Sequence, residues 1–290
     1  MLSLILQNLV NGLLLGGLYV CIAIGFSLVW GVLSIINMMH GSMIVLGSYL
    51  AYYAFVFLGL SPFVAPLFVM PLMFALGYGL QSGILNRVVG KPILMTLTLT
   101  FGLDLILNNL MLAGFTADFR QVVFKSPFDA LEIFQLIIPQ ERLYATILAL
   151  LLTFLFYLLL NKSRIGRAIV AVRSDRDSAV LMGINVAKIY AITFGVGAAF
   201  AGAAGALMSV ILPISPVESA SYLGKAFVIC VLGGLGNFIG VVFGGFALGL
   251  IESLGVMVTG PEHSVLIGFV VLMAVLAIKP TGIAGKRGFE

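Results

Sequence analysis

The sequence predicts an all-α polytopic membrane protein, and three observations carry that reading. No Asp, Glu, Lys or Arg occurs before Arg87, and a soluble fold of that length needs charge to keep its surface hydrated. Hydrophobic residues make up 61% of the 290-residue chain and charged ones 9%, against about 45–50% and about 25% in soluble domains. Eight charged side chains then crowd together between long apolar stretches, at Lys162, Arg164, Arg167, Arg173, Asp175, Arg176, Asp177 and Lys188. At a mean hydropathy of +1.20 there is no room for a separate soluble domain, so residues 1–290 read as one membrane domain. The amino-terminal Met1-Leu-Ser-Leu-Ile lacks the basic region and cleavage site of a signal peptide. It reads as the start of the first span.

A crossing takes about 20 mostly apolar residues. Runs of that kind lie near 7–30, 39–58, 62–86, 93–114, 142–161, 187–212, 225–235, 239–258 and 264–279. The expected number is eight to ten, because two stretches break the pattern: Gly31 to Gly41 (GVLSIINMMHG) and Leu232 to Gly240 (LGGLGNFIG). Glycine and Asn at membrane depth mark broken or re-entrant helices, tolerated where protein or a cavity satisfies the backbone. Short loops rich in Lys and Arg stay in the cytoplasm. That rule puts the 162–176 loop inside, and counting from it puts Arg87 and Lys91 inside, the amino terminus in the periplasm and Lys279, Lys286 and Arg287 in the cytoplasm.

Small residues recur every four positions, at Gly236, Gly240 and Gly244 and, in the 187–212 span, at Ala198, Gly202 and Ala206. Such faces let helix backbones meet in lipid, where apolar side chains gain nothing by leaving the solvent. Cys21 and Cys230 fall inside apolar runs and read as small core side chains. Between the fifth and sixth spans, the segment 162–186 carries a local signal. Ser174 with Asp177 three residues on reads as a helix N-cap with an aspartate form of the capping box, and Gly183 as the stop of a two-turn helix.

Polar residues inside the spans are the next candidates. Thr96, Thr100, Asp104 and Asn108 fall four apart, a polar stripe on one side of a helix. An ionised Asp at a membrane helix centre costs about 2.5–3.5 kcal/mol on insertion scales, so the stripe is expected to face protein or a water-filled path. A hydrogen-bond network and a path lining both satisfy that. Asn37, His40 and Ser42, beside the first break, carry the same two readings. Glu252 needs a partner that the sequence does not name.

Enzyme chemistry is not expected. The two histidines, His40 and His263, have no second ligand at metal spacing, and no catalytic constellation can be composed. Gly282 to Lys286 (GIAGK) lacks the spacing of a phosphate-cradling loop. The basic residues form no stripe with interleaved aromatics, which argues against nucleic acid as a partner. No metal or cofactor is implied.

Four stretches carry a resemblance. Ile36-Asn-Met-Met-His-Gly41 with Leu46-Gly47-Ser48-Tyr49 is one. Gly166-Arg167-Ala168, Ala171-Val-Arg173 and Asp177 through Ala179 to Gly183-Ile184 form the second. Lys225-Ala-Phe through Leu232-Gly-Gly-Leu-Gly-Asn237 to Glu252-Ser253 is the third, and Lys279-Pro280-Thr-Gly282 closes the chain. Together they resemble the permease subunits of branched-chain amino acid ABC importers, specifically the shorter of the paired permeases. Ser42 stands where that family usually carries an acidic residue.

The resemblance implies an inner-membrane permease working by alternating access. Its implied partners are a second permease subunit (a heterodimer), two cytoplasmic ATP-binding subunits that hydrolyse the ATP, and a periplasmic substrate-binding protein, all in membrane lipid. It implies that Gly166, Arg167, Arg173, Asp177, Ala179 and Gly183 form the ATPase-coupling element, and that Asn37, His40, Ser42, Thr96, Thr100, Asp104 and Asn108 are candidates for the translocation path. Two alternatives stay open at the level of sequence. One is an ion-coupled secondary transporter with Asp104 as its ion site; the other is an ABC permease for urea, short amides or sugars.

Overall fold

One helix, α8 (Val186–Ile211), is almost wholly enclosed by its neighbours, and the bundle is arranged around it. The computed structural model describes residues 2–124, 131–133, 136–260, 263–279 and 282. Around α8 pack α1 (Leu2–Leu33), α2 (His40–Leu58) and α3 (Ala65–Gly83). Beyond them lie α4 (Ile93–Phe115) and α5 (Gln140–Lys162). The short helices α6 (Arg164–Ser174) and α7 (Arg176–Leu181) follow, and after α8 come α9 (Ser219–Gly233), α10 (Phe238–Thr259) and α11 (Ser264–Ile278).

Among the described residues, seven helices are long and apolar enough to cross a membrane: Ser3–Leu33, His40–Leu58, Ala65–Arg87, Ile93–Phe115, Gln140–Lys162, Val186–Ile211 and Phe238–Thr259. These correspond to seven of the nine expected spans. The other two are α9 and α11, with 15 residues each. At 1.5 Å per residue they reach about 22 Å, short of the roughly 30 Å hydrocarbon core. Both expected breaks are present. Residues 34–37 leave the helix after α1, with Ser34 at φ 54°, and 234–237 separate α9 from α10, with Gly234 and Gly236 at φ 90° and 73°. The fold is α-helical apart from a feature the sequence did not announce. Strands β1 (Leu131–Ile133) and β2 (Leu136–Ile138) pair antiparallel, and the Gln7 amide of α1 pairs both ways with the Ile137 backbone, at 2.7 and 2.9 Å.

Helix pairs meet backbone to backbone. A Cβ on Gly47 of α2 would fall on Gly202 of α8, one on Gly205 of α8 would fall on the Ile44 carbonyl of α2, and one on Gly77 of α3 would press on Gly195 and Ala198. The α1–α10 seam repeats this with Gly12 and Gly16 against Gly245 and Gly249. Gly233 of α9 fits against Gly240 and Gly244 of α10 in the same manner. Contacts this close let helices gain dispersion energy over their full length, which is what association in lipid relies on.

The two basic clusters lie at the same end of the bundle. A Cβ on Gly90, between Arg87 and Lys91, would sit 3.1 Å from Arg176 Nη1, and Asn86 Nδ2 donates to the Ala187 carbonyl at 3.3 Å. Asp118, Arg120 and the α8 carboxyl end lie at the other end, where Arg120 and Ile214 pair through both backbone hydrogen bonds at 3.0 and 2.7 Å. Lys286 and Arg287, with Pro280 and Thr281 of the closing motif, lie outside the described residues.

Gly205→Val is expected to destabilise the fold by about 1–3 kcal/mol or more through overpacking, read as a lowered unfolding midpoint of the purified protein. Gly79→Ala on α3 is the control, because a Cβ there meets nothing within 4 Å; equal effects of the two changes would contradict the seam.

Candidate functional site

Two groups of residues bear on function, one at the basic end and one inside the bundle. At the basic end, Ser163 caps α6 by accepting from the Gly166 N–H at 2.8 Å. Gly166 is required there, because a Cβ would collide with the Leu159 and Leu160 carbonyls at the end of α5. Ser174 does not cap the following helix as its spacing predicts. It is the last residue of α6, and its hydroxyl donates back to the Val170 carbonyl at 3.0 Å. The cap of α7 is Asp175, one residue on, whose carboxylate accepts from the Asp177 and Ser178 N–H groups at 2.9 and 3.2 Å and from the Ser178 hydroxyl at 2.5 Å. The Ser178 hydroxyl first, then the Ser178 and Asp177 N–H groups, hold the Asp175 carboxyl below its ordinary value.

Gly183 ends α7 as expected. It takes φ 78°, its N–H reaches the Val180 carbonyl at 2.9 Å, and Ile184 N–H reaches Ala179 at 3.0 Å, the pattern of a left-handed helix stop. Ala179 faces inward and is buried, whereas Arg167 and Asp177 are exposed. Arg167 Nη1 donates to the Lys162 carbonyl at 3.3 Å. Arg173 reaches back toward the bundle: Cβ positions on Gly31 and Gly236 would lie 3.8 Å from its Cζ and 3.3 Å from its Nη2. It therefore lies close to both the carboxyl end of α1 and the α9–α10 break, beside a cavity of about 50 Å³ lined also by Ser27 and Phe238. Leu181 and Met182 were not singled out from sequence, yet they are 86% and 82% exposed. With half-exposed Val180 they make an apolar tip on α7 in an otherwise charged segment. The signal was available as a run of three apolar residues directly before a glycine stop.

Inside the bundle, the α4 stripe faces protein. Thr100 donates to the Ile36 carbonyl in the first break at 2.9 Å, the Ser42 hydroxyl donates to the Asp104 carboxylate, and Asn108 Nδ2 donates to Ser219 Oγ at the start of α9 at 3.0 Å. Thr96 is buried, and its hydroxyl donates locally to the Ile93 carbonyl at 2.8 Å. Gly41 packs on the Ser219 carbonyl, so the first break, the starts of α2 and α9, and three turns of α4 form one junction. His40 belongs to the other side of α2. Its Nε2 lies 2.8 Å from the Ile22 carbonyl, which only accepts, so that nitrogen carries a proton; Phe26 meets its ring edge-on at 5.5 Å. Residues 40 and 42 are about 200° apart on a helix, which separates His40 from Asp104. The buried Asn37 and Asn108 side-chain oxygens and His40 Nδ1 have no hydrogen-bond partner among the described residues.

Two membrane carboxylates are treated in opposite ways. Glu252 is paired: Lys225 Nζ lies 3.0 Å from its Oε2, the Tyr19 hydroxyl donates to the same oxygen at 2.5 Å, and Lys225 also reaches the Tyr19 hydroxyl at 2.5 Å. Asp104 has the Ser42 hydroxyl and no cation within ion-pair distance among the described residues. A hydrogen bond to a charged group contributes about 1.5–3 kcal/mol, which offsets much of the insertion cost and leaves the charge itself unneutralised. At the far end, Arg120 binds the Tyr53 hydroxyl at 2.6 Å and the Phe115 carbonyl at 2.9 Å within a cluster of Tyr49, Tyr52, Tyr53 and Phe115. That cluster joins residues 67 positions apart and has no local sequence signature.

Asp175→Ala is expected to fray α7, raising hydrogen exchange across 176–183, while Asp175→Asn keeps an acceptor oxygen and protects the segment. Because the Asp175 carboxyl is held low, its cap is complete above the unfolded carboxylate range and is lost only as pH falls through the lowered folded value. Exchange protection at 176–183, corrected for intrinsic rates, is therefore expected to be flat between pH 6 and pH 8; a change in that window would contradict the cap.

Against this geometry stand the similarities to known proteins. The profile of the family described as "Branched-chain amino acid transport system / permease component" matches residues 8–276. The high-affinity branched-chain amino acid transport system permease protein BraD of Pseudomonas aeruginosa is 31% identical over 301 residues, covering 98% of this chain and 97% of that protein. LivH of Escherichia coli, named likewise, is 32% identical over 303 residues with the same coverage. The Escherichia coli permease protein LivM is 33% identical over 145 residues, 47% of this chain and 34% of that protein. A profile spanning nearly every helix, and full-length relatives above 30% identity, make this a multi-pass membrane protein that belongs to the family of branched-chain amino acid transport permease components.

Proposed function

We propose that the chain is one permease subunit of an ATP-driven importer for branched-chain amino acids in a bacterial inner membrane. It pairs with a second permease, two cytoplasmic ATP-binding subunits and a periplasmic binding protein, and has no nucleotide site of its own. The observation that carries the coupling part is the capped, glycine-stopped helix α7 with its exposed Val180-Leu181-Met182 tip. Exposed apolar side chains of that size on a charged loop suit a groove in a partner protein. Arg167 and Asp177 add polar contacts at its rim, Gly166 seats α6 tightly on the end of α5, and Ala179 turns inward beneath α7. Arg173, set against Gly31 and Gly236, carries the movement of α6 to the two helix breaks. The single membrane domain thus has its coupling element in 162–186, and alternating access follows from rocking of the helices around the junction that Asn37, Ser42, Thr96, Thr100, Asp104 and Asn108 surround. His40 stands one helix face away and supports the junction by fixing α2 against α1. An ion-coupled transporter acting alone is disfavoured by the family to which the chain belongs.

Orientation follows the basic residues: both clusters share one end of the bundle, which the Lys/Arg rule assigns to the cytoplasm, and with that assignment go an amino terminus in the periplasm and a carboxyl terminus in the cytoplasm.

Gly183→Val forces a β-branched residue to φ 78°, and Leu181→Asp removes the apolar tip. Each is expected to leave the protein inserted but to lower ATPase-subunit co-purification and substrate-stimulated ATP hydrolysis at least about tenfold, matching a loss of roughly 1.4 kcal/mol. Arg173→Glu is expected to keep the ATPase bound while reducing uptake. Wild-type hydrolysis and association in both α7 variants would end the coupling assignment. For orientation, cysteines at Ser174 and Val123 are expected to react with impermeant thiol reagents from the cytoplasmic and outer sides respectively, since Cys21 and Cys230 are buried and stay silent. The reverse labelling would invert the topology.

A further inference from the structure

Asp104 sits on a membrane-spanning helix, half-buried, with one side-chain hydrogen bond and no neutralising cation among the described residues. The bundle does know how to neutralise a carboxylate, as Lys225 and Tyr19 do for Glu252. One turn along α4, the Asn108 amide donates one N–H to Ser219, and its buried oxygen has no partner among the described residues. One turn the other way, Thr100 holds the Ile36 carbonyl, and the next residue, Asn37, is buried with its side-chain oxygen also unpartnered. The buried side-chain oxygens left open at this junction, Asn37 Oδ1 and Asn108 Oδ1, are acceptors, and the Asp104 carboxylate on the same α4 face has no cation among the described residues. Acceptors with a charge among them call for a cationic group rich in N–H donors, and an ammonium has three. An intramembrane ionisable residue that faces protein marks a candidate functional site.

We propose that Asp104, with Asn108 and Asn37, binds the ammonium group of the amino acid as it passes through the permease. The Ser42 and Ser219 hydroxyls position it: Ser42 holds one oxygen of Asp104, and Ser219 turns the Asn108 amide so that its oxygen is presented. This site rests on the reading of the α4 stripe as a path lining. It predicts recognition of the group common to all amino acids, leaving discrimination among side chains to other surfaces.

The test uses the complete transporter without its binding protein, in lipid nanodiscs, and follows its unfolding midpoint against three probes. Isoamylamine keeps the ammonium and the branched chain of leucine, isocaproate keeps the carboxylate and the chain, and potassium chloride at matched ionic strength supplies a bare cation. Leucine and isoamylamine are expected to raise the midpoint, and isocaproate and the salt to leave it unchanged. Asp104→Asn is expected to raise the half-saturating isoamylamine concentration at least about tenfold, and Asn108→Leu about threefold. Equal protection by isocaproate or by salt alone overturns the proposal, and so does wild-type isoamylamine binding in Asp104→Asn. Uptake by the same variants, with binding protein and ATP restored, separates the two layers. Amine binding lost with uptake intact leaves the site and removes the path reading, while uptake lost with amine binding intact removes the site and leaves the path reading.

Discussion

Everything in this molecule depends on helices approaching until their backbones touch. Lipid tails are as apolar as Leu and Val, so burying those side chains against each other gains little in a membrane. What remains is dispersion, which falls steeply with distance. The enclosed helix α8 answers that constraint with Gly195, Gly197, Gly202 and Gly205, set respectively against α3, α1, α3 and α2. The same device closes α1 on α10 and α9 on α10. At these seams glycine on one helix leaves room for the backbone or side chains of the next, and that close approach holds the helices together.

The helices that close on one another are also the ones that break. Residues 34–37 and 234–237 release backbone groups that the lipid cannot satisfy, and protein covers both. Thr100 takes up the Ile36 carbonyl in the first break. The Asn237 side chain caps α10 by accepting from the Gly240 N–H at 3.2 Å. Arg173 then brings a cation to the point where Gly31 and Gly236 meet, close to the carboxyl ends of α1 and α9, where the helix dipoles favour positive charge. The basic loop thereby lies against the bundle at the place where the helices are least regular. Deep in the bundle, the ion pair of Lys225 and Glu252 locks the short helix α9 to α10, with Tyr19 of α1 as the third member. Asp104 stands outside that lock, which is why the α4 junction, and not the Glu252 triad, has acceptor capacity left over.

Much of this was legible in the chain. Hydropathy marks the seven long helices because each must be apolar over its own length, and the two glycine–Asn stretches mark both breaks. The four-residue spacing of Thr96, Thr100, Asp104 and Asn108 placed them on one side of a helix, and insertion cost turned that side toward protein. Gly183 was readable as a stop because only glycine adopts its conformation freely. The cap before it was misplaced by one residue, since Ser174 and Asp175 are both good caps and only the end of α6 decides between them.

The sequence by itself determined what a local rule can reach: which segments are membrane helices, where they break, which end carries the basic loops, and which side of α4 is polar. Tertiary structure alone decided the pairings. Glu252 meets residues 27 and 233 positions away, Arg120 finds Tyr53, and Asp104 finds Ser42 and, among the described residues, no cation. It also decided that Leu181 and Met182 stand in solvent while Ala179 turns inward. Hydropathy and helical period are properties of neighbours along the chain. Whether a charge is neutralised depends on groups brought together by packing, which the local pattern of α4 does not record.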